Sequence, residues 1–543
     1  MISLNFNRVR DGLGRRFSHL KQDRHILALQ KEIEKNAPTP TGNPVVFFNA
    51  STRLSGLSLN AAFSLLSSWS LRLSGIPVVY YYCHQGLPLC VLGTNPNNVL
   101  QPPPCKECIA QSRILYSSGN PVPFDQVNEK DLDEQLKNKF VAELMDFKYQ
   151  NIPLGNLVLP SVRWILRKHH LSNDSSTRLL LSSYIAGAWN VYISFSTLLD
   201  QITPRAVVLF NGMSYPEAMA RWTAQTKGVQ VFTHEVCLQP FSAFFSSGDA
   251  TLRSIDIPAN FELSEKQNQK LDVYLDQRFK GQFKMAGVSF WSEMEKPDAS
   301  FVQKAAQFKQ IVSVFTNVIF DTSQSHANTI FPHMFAWLDM VGDIIAAHPE
   351  TLFVLRAHPD EGRVGKASRE SVADWVKQKG LDQASNVIFI KFNEQVSSYE
   401  LIRQSKFVMV YNSTIGLEAS LLNAAVLCAG RSRFTDYPTV FFPENSQKYL
   451  ETAELFLTND KIEVPEQFRL NARRYLYYEL YRASLPFDLF LEEDPYWKGY
   501  VTLKNISWKN LLPENSVTMD TIYKGITFDE PFLLNSINGR DDA

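Results

Sequence analysis

Between residues 310 and 430 the chain alternates short β-branched or aromatic runs with longer stretches of helical period. This alternation restricts the fold more than any other feature of the sequence. The runs at 312–315, 352–356, 387–390 and 407–410 are nearly continuous in apolar residues, as strands buried on both faces must be. Between them, 331–347 places Phe331, Met334, Phe335, Leu338 and Ile345 on one helical side, and 366–379, 397–404 and 415–423 read as further helices. Parallel strands need long crossovers, which helices supply, so this succession predicts a doubly wound parallel sheet.

A similar rhythm occupies the first half. Strand patterns lie at 45–48, 78–82, 206–210 and 230–233, with helical stretches at 59–74, 131–147, 176–200 and 215–226. The pattern resets after a polar stretch near 291–300. At 543 residues the chain exceeds one ordinary core, so two Rossmann-like domains in tandem are expected. The predicted division is a charged helical leader and Pro/Thr/Gly linker at 1–44, with Leu27, Leu29 and Ile33 as its apolar positions, then domains at 45–300 and 301–465. A C-terminal helix and tail at 466–543 would pack back across the domains. Arg469, Arg473, Arg474, Tyr475, Tyr477 and Tyr478 in 465–482 suit packing against protein better than lying on a membrane surface, the alternative placement.

Composition narrows the partners. Lys and Arg total 54 against 55 Asp and Glu, 54 − 55 = −1, which excludes the sustained basic surface of a nucleic-acid binder. No apolar run reaches bilayer length, and even 177–200 is broken by Ser, Asn, Tyr and Gly. The first thirty-odd residues lack an apolar secretion core and cleavage site. A cytoplasmic protein is therefore expected, with peripheral association at the inner membrane face as the variant reading.

Ligands of open parallel sheets bind beyond the carboxyl ends of the strands. In the second domain that rule selects Asn412-Ser413-Thr414-Ile415-Gly416-Leu417-Glu418, where a buried strand leads into a helix. Free amides and the hydroxyls of Ser413 and Thr414 would favour an anion there, Gly416 would allow close backbone approach, and Glu418 would accept from a ribose diol. Simple helix capping by Ser413 or Thr414 is the plainer alternative. Arg356-Ala357-His358-Pro359-Asp360 also follows a strand directly, so His358 and Arg356 are candidate phosphate donors, and the strand ends at 356 and 410 are expected to be neighbours. His348-Pro349 precedes its strand and reads as a helix-ending turn. Thr316, Asn317 and Asp321 form a third strand-end loop, and Arg431 with Arg433 a fourth.

In the first domain, Asn211-Gly212 and His234-Glu235 follow strands and are assigned to the acceptor side. Glu235 is the favoured general base and His234 its competitor, and the loop 49–56 also faces the expected cleft. Cys83, Cys90, Cys105 and Cys108 lie close together in sequence. A structural zinc on four thiolates is one reading of them; burial of Cys83 at its strand end is the other.

The His358-Pro359 pair followed by Asn412-Ser413-Thr414-Ile415-Gly416-Leu417-Glu418-Ala419 resembles bacterial capsule polysaccharide biosynthesis glycosyltransferases, which include Kdo transferases. The similarity is clearest over 311–440 and looser over 205–240. It implies an α/β GT-B fold, with two Rossmann-like domains facing a central cleft. It further implies donor phosphate contact by His358, nucleotide contact by Ser413, Thr414 and Glu418, and no required metal. The implied activity is transfer of a sugar from a nucleotide-activated donor, CMP-linked by the resemblance, to a glycan or lipid-linked glycan acceptor. A nucleotide-sugar epimerase of the 2-epimerase type and a non-catalytic assembly protein are the alternative readings.

Overall fold

The structure, a computed structural model, describes residues 6–50, 56–281, 284–285, 288–289, 295–363 and 365–535. Val45–Asn49, whose first four residues are buried, pairs in parallel with Val78–Cys83 on one side and Ala206–Phe210 on the other. The sheet grows outward from this strand to seven, in the order Leu485–Pro486, Ser242–Ser247, Gln230–Val236, Ala206–Phe210, Val45–Asn49, Val78–Cys83 and Asn120–Phe124. Its five parallel members follow the 3-2-1-4-5 order of a Rossmann sheet, and the two strands beyond Gln230–Val236 are added by antiparallel pairing, each to the strand before it in the sheet. Asn120–Phe124 carries Pro121 and Pro123 and is the edge strand, the position where proline's missing N–H does least harm. That strand and Ser242–Ser247 lack the apolar continuity of a central strand, and the sequence reading passes over both.

The second sheet repeats the topology. Its order is Val387–Ile390, Thr351–Arg356, Gln310–Phe315, Phe407–Val410 and Val426–Cys428, all parallel. The strands ending at 356 and 410 are therefore not neighbours, as expected from sequence, but flank Gln310–Phe315. Period-two alternation sends successive residues to opposite faces. Val312, Val314, Phe353, Leu355 and Met409 join one core cluster, while Val354, Val408, Val410 and Val426 join the other. Both faces are covered by helices, as a parallel sheet requires. The protein is thus a mixed α/β molecule of two Rossmann-like lobes, the GT-B arrangement.

Local chemistry explains several departures. The helical stretch at 131–147 divides into Lys130–Leu136 and Val141–Met145, where Lys137 and Phe140 leave helical geometry. In the first helix, Phe6–Asn36, the buried apolar residues are Ile26, Leu29 and Ile33 rather than Leu27. The chain also crosses between lobes. Helix Glu265–Phe279, although it precedes residue 301, buries Leu271 and Leu275 in the second lobe's core. Helix Glu466–Tyr477 lies against it, with Arg473 bonded to Asn268 and paired with Asp272. Leu485–Pro486 then returns to the first sheet, helix Val517–Phe528 packs against Leu59–Leu73, and Phe532 meets Phe232 and Phe245. Among the described residues no helix is long and apolar enough to cross a membrane.

Leu355 is fully buried one residue before the segment that carries Arg356 and His358. Leu355→Ala is expected to cost about 2–5 kcal/mol through lost burial and the cavity left behind. Equilibrium urea denaturation measures this, and a change within 0.5 kcal/mol, roughly that of a surface site, would contradict the core assignment.

Candidate active site

The carboxyl ends of both sheets open on one crevice, a cavity of about 550 Å³, within the size range of ligand pockets. The first lobe contributes Asn211, Glu235, Val236 and Phe244. The second contributes Thr316 and Asn317, Arg356 and His358, Asn412 to Thr414, Glu418, and Arg431 to Arg433. On the second lobe the cavity lies at the topological switch point, where strand order reverses between Gln310–Phe315 and Phe407–Val410.

Arg356 ends its strand with its side chain buried, 5% exposed, and its Nη1 finds no hydrogen-bond partner. Burial pushes its pKa down to about 10, partly offset by the charge of Glu394, so it remains a cation at neutral pH. A buried, unsatisfied guanidinium donor is costly, and this one lines the crevice, where an anion would satisfy it. At His358, Nδ1 accepts from the Asp360 amide at 3.1 Å, which in the neutral ring leaves the proton on Nε2. Burial lowers this histidine's pKa, and Arg356 adds to that, against the opposing charges of Asp360 and Asp321. His358 is therefore a neutral Nε2–H donor at pH 7.

Between these segments, Asn317 Oδ1 accepts from the Asn412 amide at 3.3 Å, and Asn412 Oδ1 accepts from Gln324 Nε2 at 3.2 Å. Thr414 occupies the N-cap of Ile415–Leu421 without a side-chain capping bond. The hydroxyls of Ser413 and Thr414 thus make no capping contact and remain available at the cavity wall. Gly416 has a packing role and does not line the cavity: a Cβ there would stand 3.0 Å from Val410 Cγ2 and 3.3 Å from Phe434, so glycine lets the helix sit against its strand.

Glu418 is committed elsewhere than expected. Its Oε1 accepts from Arg278 Nε at 3.0 Å and Nη2 at 2.5 Å, and its Oε2 from Tyr399 OH at 2.6 Å. Burial opposes the charge on Arg278, but Glu418 more than restores it, and the guanidinium pKa is raised. With both oxygens engaged, Glu418 positions the cavity wall and is not a free acceptor for a ribose. Arg431 is likewise paired, with Asp436 at 3.1 Å. Arg433 reaches Glu479 at 3.3 Å, and the guanidinium of Arg253 lies 3.8 Å over the Phe244 ring.

Across the crevice, Glu235 Oε1 accepts from Asn60 Nδ2 at 3.1 Å and from the Val236 amide at 2.8 Å, while Oε2 accepts from Asn211 Nδ2 at 3.0 Å. Burial raises its pKa above the ordinary glutamate value even against those bonds and Arg433. His234 points the other way, as the strand's alternation demands. It is 1% exposed, packs against Phe63, Phe210 and Phe245, and is pushed down to about 3 by burial alone. It is a core residue and does not face an acceptor. Gly212, at φ +82° after Asn211 at +56°, makes the left-handed turn that aims Asn211 at Glu235, and is itself outside the cavity lining. Of the loop 49–56, residues 51–55 lie outside the described residues.

Sequence reasoning missed Asn60, Arg278, Asp249 and His326. Asn60 opens the helix after the first strand, so the strand-end rule reaches it; the others come from helices and turns whose proximity no local pattern announces. His326 Nε2 meets Asp249 Oδ2 at 2.9 Å, joining the two lobes beside the cavity. Burial disfavours the Asp249 carboxylate, but His326, Thr251 and Arg221 outweigh it and lower its pKa.

The four cysteines line a separate small cavity of about 20 Å³ with Pro103 and Pro104. Cys90 Sγ accepts from the Gly93 amide at 3.3 Å. Among the described residues no three of their sulfurs lie within 4.8 Å of one another, wider than the sulfur separations of an assembled tetrathiolate.

Residues 288–437 match the family described as capsule polysaccharide biosynthesis protein, and that segment holds the second-lobe wall from Thr316 to Arg433, with Arg278 outside it. No curated protein sequence matches this one. Similar solved structures include Thermosulfurimonas dismutans KpsC, a β-Kdo 2,4 transferase, at 12% identity over 57% of this chain and 87% of that one, with a TM-score of 0.33. Its β-Kdo 2,7 transferase is 13% identical over 62% and 89%, with a TM-score of 0.32. The UDP-GlcNAc 2-epimerase of Neisseria meningitidis bound to UDP-GlcNAc is 12% identical over 80% and 98%, with a TM-score of 0.22.

Removing one partner of the Arg278–Glu418 pair strands a buried charge. Glu418→Ala is expected to destabilise the protein by about 3–5 kcal/mol, whereas the double variant Arg278→Met/Glu418→Leu recovers most of that loss. A double-mutant cycle by chemical denaturation tests this, and additive losses would refute the coupling.

Proposed function

We propose that this protein is a glycosyltransferase of capsular or related surface polysaccharide synthesis, transferring a sugar from a nucleotide-activated donor. The observation that carries the reading is the pairing of unsatisfied donors and a base across one crevice. Arg356 Nη1, the Nε2–H of His358 and the free hydroxyls of Ser413 and Thr414 lie on the second-lobe wall; Glu235 lies opposite. The match of 288–437 to the capsule family supports the same assignment.

In the proposed reaction the bond between the anomeric carbon and the donor phosphate breaks, and a bond to the acceptor oxygen forms. Negative charge grows on the departing phosphate, where preorganised donors matter most. Arg356 supplies a fixed positive charge, and His358 a neutral hydrogen-bond donor whose position is set by the Asp360 amide on its other nitrogen. The acceptor hydroxyl proton passes to Glu235. Asn60 and Asn211 hold that carboxylate in place, and its raised pKa improves it as a base while leaving it ionised above that value. CMP-linked sugars are the proposed donors and a glycan or lipid-linked glycan the proposed acceptor.

The direct test is a thermal-shift screen with CMP-, UDP-, GDP- and dTDP-linked ligands, followed by transfer assays. A donor present at 100 times its Kd stabilises the native state by about 2.7 kcal/mol, readable as a rise of a few degrees in Tm. His358→Ala is expected to lower kcat about 10²–10³-fold with native stability retained. Since Glu235 must be unprotonated to act, kcat/KM falls as pH drops through its raised pKa, and Glu235→Gln abolishes this acidic limb with a loss of about 10²-fold or more. Isomerisation of a nucleotide sugar without any acceptor would identify an epimerase and overturn the transferase reading.

A further inference from the structure

Away from the crevice, three imidazoles meet where the lobes touch. His169 and His170 lie in the connection between helices Leu154–Leu166 and Ser175–Ile202 of the first lobe, and His333 at the N-cap of Met334–Ala347 in the second. One ring nitrogen of each lies within 4.8 Å of the other two, the one such group of His, Cys, Asp or Glu ligands among the described residues. Ring centroids are 4.5 Å apart for His169–His333, 5.0 Å for His170–His333 and 4.9 Å for His169–His170. Three imidazoles sharing one tetrahedral ion, each at about 2.0–2.1 Å through nitrogen, have centroids roughly 5 Å apart. The rings therefore already stand near the separations that a common ion imposes.

The surroundings suit a cation. Glu370 reaches across from the second lobe, and its Oε2 accepts from the amides of His169 at 2.8 Å and His170 at 3.0 Å. Its Oε1 bonds His170 Nδ1, which places that ring's proton on Nδ1 and leaves Nε2 with a free lone pair. A carboxylate behind a histidine in this way orients the ring and raises its basicity as a ligand. Arg163 is the opposing charge, and its Nε is spent on the His169 carbonyl at 3.1 Å. His333 Nδ1 accepts from the Ala336 amide at 3.1 Å, so coordination by His333 replaces that single capping bond.

We propose that His169, His170 and His333 bind one divalent transition-metal ion of the zinc type, with Glu370 as the outer carboxylate, and that the ion clasps the two lobes together. The fourth position falls to water, since His170 is exposed. None of the three histidines lines the crevice, so the site is structural and independent of the transferase reading.

The test uses the full chain, stripped with a chelator and titrated with Co²⁺ and then Zn²⁺. Wild type is expected to bind one equivalent with submicromolar affinity, to show the visible bands of a tetrahedral site and to lack a sulfur-to-cobalt charge-transfer band. His333→Asn keeps a good helix cap while removing the imidazole. It is expected to remain folded by circular dichroism, to bind at least 100-fold more weakly and to lose the zinc-dependent rise in Tm. Glu370→Gln weakens binding about 10–100-fold, and Cys105→Ser leaves it unchanged. The proposal is overturned if wild type binds less than one equivalent at micromolar metal. It is also overturned if folded His333→Asn binds as tightly as wild type, or if the cobalt spectrum shows thiolate ligation that Cys105→Ser abolishes.

Discussion

The buried ion pair of Arg278 and Glu418 sets the shape of the second-lobe wall. It joins helix Glu265–Phe279 to two helices much later in the sequence, Ser398–Gln404 through Tyr399, and Ile415–Leu421. Both charged groups are 9% exposed, and a charge at that depth is tolerable only with its hydrogen-bonding capacity met. Glu418 meets that demand by engaging both oxygens, which pins the first turn of its helix and thereby the preceding Asn412-Ser413-Thr414 loop. Gly416 completes the arrangement by letting the helix close on Val410 and Phe434.

With that wall in place, the cationic groups around the crevice divide into two kinds. Arg431 answers Asp436, and Arg433 and Arg253 both answer Glu479. These pairs hold the loops, with the single Glu479 carboxylate shared between two guanidiniums. Arg356 lines the cavity, is buried, and leaves Nη1 unpartnered; Arg253 also leaves Nε and Nη1 unpartnered, but it is paired with Glu479 and lies outside the cavity lining. An anion in the crevice would satisfy the Arg356 donor, and its neighbour His358 presents its remaining proton beside it. The opposite wall is organised by the same economy, with Asn60, Asn211 and the Val236 amide meeting the lone pairs of Glu235.

Several polar links tie the lobes, among them the bonds from Arg369 to the Pro96 carbonyl and Asn97 Oδ1. Asp249 and His326 bond beside the crevice, and Glu370 bonds the amides of His169 and His170 away from it. The chain itself adds a covalent connection, since it crosses to the second lobe in Glu265–Phe279 and returns through Leu485–Pro486. Relative lobe motion is therefore constrained at several points around the cavity that both lobes line.

The order of strands and helices from 310 to 430 was legible in the sequence because each strand is buried on both faces and each helix carries its own period. Strand-end position alone then pointed to Glu235, Arg356, His358, Asn412, Ser413 and Thr414, which the fold brings to one cavity. Local pattern was blind to which way a strand residue faces at its end, so His234 and Glu235 looked alike until the pleat separated core from crevice. It was blind as well to pairing across distance. Glu418 is held by an arginine 140 residues away in the chain, and His169, His170 and His333 meet only because two lobes fold against each other. Hydrophobic periodicity is written in neighbouring residues and survives in the sequence; charge pairing and ligand geometry are made by tertiary contact, and only the folded chain decides them.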